Sequence, residues 1–344
     1  MRKWVGRLGA AVGLVGSVML SAGSARAQDD SGLQAFLGSI RDRAIAEGVR
    51  PATFDSVAAG LTFNPRVVAL DRAQPETAPN APISPFAPYR AQHVDSARIN
   101  RGRAAYQEQR GRLATIEAQT GVPEAIMVAI WGHETNYGSY TGDFDLPRSL
   151  ASLAYEGRRR ALFTDEYIAT LKMIDRGVPR DRLKGSWAGA FGYPQFLPSV
   201  YLRLARDGDG DGRADIWSNP ADTLASIANY FVNAGWRPDQ PWGVAVSVPD
   251  GLDRSDLRAR TVSPRCPRVH ERHSRWRTIA EWRALGLVPQ GAWPADNVQA
   301  TLLEPDGPGR TAYLLTGNYR VILDYNCSNF YALSVGLLAD EVAR

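Results

Sequence analysis

VPEAIMVAIWGHETNYG, Val122–Gly138, is the stretch on which the reading of the fold turns. Gly121-Val122-Pro123 marks a fresh start, with Pro123 suited to the first turn of a helix. Ile126, Ala129 and Ile130 then follow one face, which His133 or Glu134 completes at 3.6-residue periodicity. A carboxylate that ends an apolar face just before a glycine-bounded turn sits at the rim of a pocket. There, loss of water raises its pKa and makes a general acid available near neutral pH. Spacing alone leaves a second reading open, an exposed glutamate in the last turn, and His133 is equally ambiguous.

Two further stretches carry chemistry. KGSWAGAFGYPQFLPSVYLRLA, Lys184–Ala205, sets small residues around Trp187, Phe191 and Tyr193, with Gln195 in an apolar setting. Glycines permit close approach of a ligand or of another backbone. Rings beside an amide suit a sugar cleft, because rings cover pyranose faces and amides bond hydroxyls. A tight helix contact with a buried glutamine is the alternative. DGDGDGRADIWSNPAD, Asp207–Asp222, places Asp207, Asp209 and Asp211 at positions 1, 3 and 5 of an EF-hand-like loop. Gly212 falls at 6, the Arg213 carbonyl at 7 and Asp215 at 9, but position 12 is Ser218, which cannot chelate through two oxygens. A single irregular loop of this kind is read as a structural site rather than a sensor; an ion-free aspartate-rich turn is the alternative.

Composition bounds the function class. Arg2, Lys3 and Arg7 precede an apolar run, Leu8 to Leu20, and Ala25-Arg26-Ala27 supplies small residues for a cut. Residues 1–27 therefore read as a secretory signal peptide, too short to span a bilayer permanently, with a buried N-terminal helix as the alternative. No cysteine lies near the cut to carry a lipid. The signal holds four basic residues and no acids, so the formal charge of +4 falls to zero in residues 28–344. Nothing in that balance points to nucleic acid. The arginine-rich span Arg254 to Arg283 reads as a solvated face, with contact to an anionic polymer as the second reading. Cys266 and Cys327 form a disulfide in an oxidising compartment or are two small buried hydrophobes.

Along the chain, Gly32 to Leu61 reads as helix. The passage AQPETAPNAPISPFAPY, Ala73–Tyr89, reads as neither helix nor central strand. Ser96 to Thr120 reads as helix, and helices continue from Pro123 to Gly243. VAVSV, ATLLE, TAYLL and YRVILDY read as strands, with Gly317-Asn318 as a hairpin turn between the last two. A helix over Phe330 to Val342 closes the chain.

Taken in order, ETNYG at Glu134, GSWAGAFGYPQFLPS at Gly185, DGDGDGRADIW at Asp207, ANYFVNAGW at Ala228 and RVILDYNCSNFYALSVG at Arg320 resemble the lytic murein transglycosylase B family over nearly the whole chain after the signal. The resemblance implies an α+β, mainly helical fold. Its lysozyme-like core and N-terminal helical region span about 28–243 and 317–344, with a small β-containing insertion over about 244–316. It implies Glu134 as the single catalytic acid/base, with Ser186 and Asn326 positioning substrate. Tyr193, Gln195, Tyr230, Tyr325 and Tyr331 would bind glycan, and Tyr89 would be a further cleft tyrosine. Asp207, Asp209, Asp211, Arg213 and, in a lengthened loop, Asp222 would hold a structural calcium ion. The substrate implied is peptidoglycan glycan strands in the periplasm, cleaved to 1,6-anhydromuramic ends, with neither a membrane anchor after signal cleavage nor a C-terminal peptidoglycan-binding module. Asp143 and Asp145 keep a two-carboxylate muramidase open, and an inactive calcium-binding wall module is the remaining alternative.

Overall fold

The computed structural model describes residues 15–74, 84–259, 263 and 265–344, with side chains from Asp29 onward. The expected signal lies outside the described residues over 1–14; from Val15 its backbone belongs to the helix Val15–Ala46. The chain divides into two units.

The first unit comprises Met1–Glu76, Gly142–Phe191 and Leu197–Leu202. Leu33, Leu37 and Ala44 pack with Phe54, Val67, Leu150, Leu153, Phe163, Tyr167 and Leu171 in one apolar core. The helix expected over Gly32 to Leu61 is in fact two helices, Val15–Ala46 and Pro51–Ala59. Gly48 turns the chain at φ 98°, and Arg50 is extended because the Pro51 ring disfavours helical backbone before it. In the same unit Phe144-Asp145 pairs antiparallel with Lys184-Gly185, and Gly185 bridges Phe191. A β-carbon on Gly142 would lie 2.3 Å from the Gly185 carbonyl oxygen, so the backbone approach there requires glycine.

The second unit comprises Thr77–Thr141, Gly192–Phe196 and Arg203–Arg344. Its centre is the helix Glu124–Thr135, whose residues Ile126 to Gly132 are all buried. Around it pack Ser96–Thr120, Pro220–Asn233 and Asn329–Val342. The proline-rich passage departs from expectation at its end. Residues 75–83 lie outside the described residues, but Phe86–His93 is helical. Pro85 is its N-cap and Pro88 falls in the first turn, where a missing N–H breaks no helical hydrogen bond.

A five-stranded antiparallel sheet follows in the order Arg277–Thr278, Gln299–Leu303, Ala312–Leu315, Gly243–Ser247, Val288–Pro289. It has its own core of Val246, Ile279, Trp282, Ala300, Leu302 and Leu314. YRVILDY is not a strand: Gly317–Tyr325 is a helix. Thr316 caps it by accepting from Asn318 N, and the Asn318 side chain donates to Arg237 O and Gln240 O, each at 2.7 Å. Asn318 thus anchors a helix start, and Val321 and Ile322 pack inward with Tyr319. Within the arginine-rich span Arg254 pairs with Glu304, Arg265 with Asp324, Arg277 with Asp256 and Arg283 with Asp296. Most of this basic run is therefore balanced within the fold.

Cys266 and Cys327 are joined as a disulfide. It ties the start of the short helix Pro267–His270 to the turn between the last two helices. The bond spans 61 residues, and closing a loop of that length restricts the unfolded chain by about 4 kcal/mol in the loop-entropy model. Replacing both cysteines by serine should lower unfolding free energy by an amount of that order in a urea titration. A loss below about 1 kcal/mol would show that the loop is restrained by other contacts.

Candidate active site

Glu134 occupies the last turn of Glu124–Thr135, and the way that helix ends defines its surroundings. Asn136 and Tyr137 both adopt left-handed backbone, at φ 51° and 60°, which turns the chain sharply away. Thr135 fastens the turn: its hydroxyl donates to Tyr193 O at 3.0 Å and accepts from Gly138 N at 3.1 Å. A β-carbon on Gly132 would stand 2.5 Å from the Tyr137 ring, so this helix position is glycine by packing.

The carboxyl group itself meets one protein donor, the Tyr331 hydroxyl, at 2.5 Å from Oε1. Burial pushes the Glu134 carboxyl up to about 7, and the tyrosine hydrogen bond, which favours the ionised form, holds back a larger rise. Tyr331 lies in the first turn of Asn329–Val342, capped by Ser328, whose Oγ accepts from Tyr331 N at 3.3 Å. Its phenol is raised well above the usual range by burial and by the neighbouring carboxylate, so it remains a donor.

The other tyrosines expected to bind glycan lie in three places, Tyr230 with Tyr325, Tyr193, and Tyr89. Tyr325 donates to Pro194 O at 2.5 Å and Tyr230 to Asp324 O at 2.8 Å, with ring centroids 4.7 Å apart. Tyr193 lies against Trp131 at 5.7 Å and over Gly138, a contact that leaves no room for a β-carbon. Gln195 is left-handed at φ 51°, and its amide nitrogen donates to Gly192 O and Thr141 O. Among the described residues no hydrogen bond to the amide oxygen is seen. Asn326 ends the helix Gly317–Tyr325 with an exposed side chain. Tyr89 stacks on His93 at 3.8 Å, His93 faces His133 at 6.0 Å, and His133 lies 5.5 Å from the Tyr331 ring. Burial holds His133 down to about 3, so it is neutral at working pH.

Ser186 belongs to the first unit. It forms a closed turn there, donating from its N to Ala190 O at 2.7 Å and accepting Ala190 N on Oγ at 3.0 Å. Asp145, one of the two alternative carboxylates, is engaged as a helix cap for Arg148 N and as an ion pair with Arg180 at 2.6 Å. Asp143 is exposed.

His93 and Thr135 escaped the sequence reading. Tyr89 and His93 are four residues apart, which on a helix stacks them, but the prolines concealed the helix. Thr135 follows Glu134 directly, and its role exists only because Tyr193 folds back upon it.

In the aspartate loop, carboxylate oxygens of Asp207, Asp209 and Asp211 lie within 4.8 Å of one another. That convergence of hard oxygen donors fits a calcium ion. Asp207 also accepts from Gly210 N and Gly212 N, and Asn219 holds Asp209 at 2.7 Å. Arg213 donates its N–H to Asp211. Asp222, expected to close the shell, is fully buried and stands outside this group. Its two oxygens accept Gly208 N at 2.8 Å and Asp215 N at 2.7 Å, so it ties the two ends of the loop together.

The tyrosine contact makes a titration prediction. Removing a donor that favours the carboxylate raises its pKa, so Tyr331→Phe should move Glu134 above its native value of about 7. Carbon-13 NMR titration of the Glu134 carboxyl reads the shift, and a fall would mean that the hydroxyl does not stabilise the anion.

A transglycosylase SLT domain model matches residues 32–340. Membrane-bound lytic murein transglycosylase B of Escherichia coli K12 is 31% identical over 281 residues, covering 80% of this chain and 73% of the relative. The crystal structure of SltB3 from Pseudomonas aeruginosa, in complex with NAG-anhNAM-pentapeptide, superposes with TM-score 0.80 at 38% identity, covering 90% of this chain and 79% of that one. Escherichia coli Slt35 in complex with calcium superposes at 0.72 and 28% identity, covering 92% and 93%. The fold is that of the lysozyme-like lytic transglycosylases. With its helical core, its glutamate-ended central helix and these likenesses, the chain belongs to the transglycosylase SLT domain family, among the lytic murein transglycosylases of the B type.

Proposed function

We propose that this peptidoglycan lytic transglycosylase works through Glu134 as its only acid and base. The observation that carries the reading is a single desolvated carboxyl, pushed up to about 7, with a tyrosine donor at 2.5 Å. A group with that pKa is present in both protonation states near neutral pH, which a residue that first gives and then takes a proton requires. Protonated Glu134 donates to the glycosidic oxygen between N-acetylmuramic acid and N-acetylglucosamine as the bond to C1 breaks. Carboxylate Glu134 then removes the proton from the muramyl 6-hydroxyl as that oxygen closes on C1, giving a 1,6-anhydro ring and consuming no water. Tyr331 stabilises the anionic stage.

A glycosidase that uses water or a covalent intermediate needs a second free carboxylate; Asp145 is committed to Arg148 and Arg180, which leaves the exposed Asp143 as the candidate for that alternative. Tyr193, Gln195, Tyr230, Tyr325 and Tyr89 supply rings and an amide for the glycan, and Asn326 positions it. The product matches the anhydro sugar in the ligand of the Pseudomonas relative. Among the described residues no helix is long and apolar enough to cross a membrane. The N-terminal signal pattern, Arg2 to Ala27, supports export to the periplasm.

Glu134→Gln should fold and lose roughly 10²- to 10⁴-fold in lytic rate, the usual worth of general acid-base catalysis. Mass spectrometry of muropeptides from digested sacculi should show anhydromuramic ends. Predominantly reducing ends would make the enzyme a muramidase.

The aspartate loop is proposed as a structural calcium site held by Asp207, Asp209 and Asp211, with the Arg213 carbonyl and Asp222 completing or bracing it; calcium neutralises their mutual repulsion. Bound only by the folded state, the ion stabilises by mass action. Calcium should raise the melting temperature of the wild type and not that of Asp209→Ala in calorimetry. A melting curve indifferent to both calcium and chelator would remove the site.

A further inference from the structure

We propose that a cavity in the β-containing insertion, centred on Arg272, binds a carboxylate of the peptide carried by the substrate. The cavity has a volume of about 600 Å³ and is lined by Arg254, Arg258, His270, Arg272 and Ser274. That size suits the end of a short peptide rather than a whole strand.

The arginines on its walls are not equivalent. Arg254 is neutralised by a two-pronged pair with Glu304, at 2.8 and 2.9 Å. Arg272 is half-buried and, among the described residues, no carboxylate lies within ion-pair distance of it. It donates one N–H to Pro305 O at 3.2 Å and rests over the Phe330 ring at 5.9 Å. Desolvation lowers its pKa, the mark of a cation set into the protein without full compensation. Asp306, a carboxylate whose charge favours the Arg272 cation, accepts Phe86 N at 2.5 Å. Arg258 is exposed on another wall, and among the described residues the buried Nδ1 of His270 has no partner. Glu271 also lines the cavity, but it is exposed.

A partly desolvated guanidinium with free donors in a concave site is suited to a carboxylate, which it holds in a planar fork. The sugar backbone of peptidoglycan offers hydroxyls and acetamido groups, whereas the peptide carries the carboxylates. The cavity adjoins the chemistry through one residue. Phe330, beneath Arg272, precedes Tyr331 in the same helix and packs on Tyr89 at 5.5 Å. The inference rests on the lytic reading of Glu134 for the identity of the peptide.

The test uses the full chain and two substrates, peptide-bearing strands and the same strands stripped of peptide by an amidase, with the lactyl carboxyls this exposes capped as amides. Arg272→Gln should reduce the preference for peptide-bearing strands, measured as the ratio of kcat/KM values, on the order of tenfold, the usual worth of a charge-assisted hydrogen bond. Arg258→Ala, at an exposed position that does not endanger folding, should reduce it by a smaller factor. Separately, free pentapeptide should bind the Glu134→Gln protein in calorimetry, while the same peptide with its carboxylates amidated should not. The proposal is overturned if Arg272→Gln lowers both substrates equally, which would make Arg272 a packing support for Phe330. It is also overturned if neither arginine substitution weakens peptide binding, or if inorganic phosphate displaces the peptide at equal concentration, which would make the cavity a general anion site. Because peptide binding is measured in a protein without its acid, failure of the Glu134 mechanism would leave this result readable.

Discussion

The contact between Tyr331 and Glu134 is the constraint around which the second unit is arranged. A carboxyl group removed from water resists ionisation, and a phenol at 2.5 Å returns part of what hydration supplied. The balance sets a pKa of about 7. For that balance to hold, the two side chains, 197 residues apart, must keep hydrogen-bond distance. Each is therefore fixed by its own backbone. The left-handed pair Asn136-Tyr137 and the Thr135 clasp end one helix, and the Ser328 cap begins the other.

Linkage gives the carboxyl a further consequence. Its folded pKa lies above the ordinary glutamate value of 4.5, so between pH 4.5 and about 7 the native state holds a proton that the unfolded chain has lost. Stability from this group is present at low pH and falls as pH rises through that window. His273 acts in the opposite sense. It is buried between Thr301 and Asn329 and held down to about 4, so its contribution is lost as pH falls from its ordinary value of 6.5 toward 4. The two buried groups thus pull stability in opposite directions with pH, because burial disfavours the charged form of each, the carboxylate of Glu134 and the imidazolium of His273.

The insertion takes part in this arrangement. His273 bonds Asn329 at 2.8 Å, and Tyr319 donates to the same asparagine oxygen at 3.1 Å. The Cys266–Cys327 disulfide fastens the adjoining turn. The residues that begin the Tyr331 helix are therefore held by the β-sheet as well as by their cap. A helix start gripped at several points loses little further freedom when a substrate arrives, which favours a preorganised acid.

Much of this was legible in the chain. Ser96–Thr120 carries an aspartate before it and a glycine after it, and the helix runs between those limits. Glu134 closes an apolar face, but the amphipathic period alone left an exposed last-turn glutamate open, and burial beside Tyr331 decided between the two. Alternating aspartates and glycines brought the carboxylates of Asp207, Asp209 and Asp211 together because that geometry is local. The proline passage and YRVILDY were misread for a common reason. Pro88 in a first turn and a β-branched run on a helix face are both allowed by local physics, and only packing selects the outcome. The pKa of Glu134, the Tyr331 contact, the stack of Tyr89, His93 and His133, and the uncompensated Arg272 are properties of groups distant in sequence. Residue type and spacing determined which chemistry the chain carries. Tertiary structure decided which of those groups lose water together, because desolvation depends on neighbours that no local window contains.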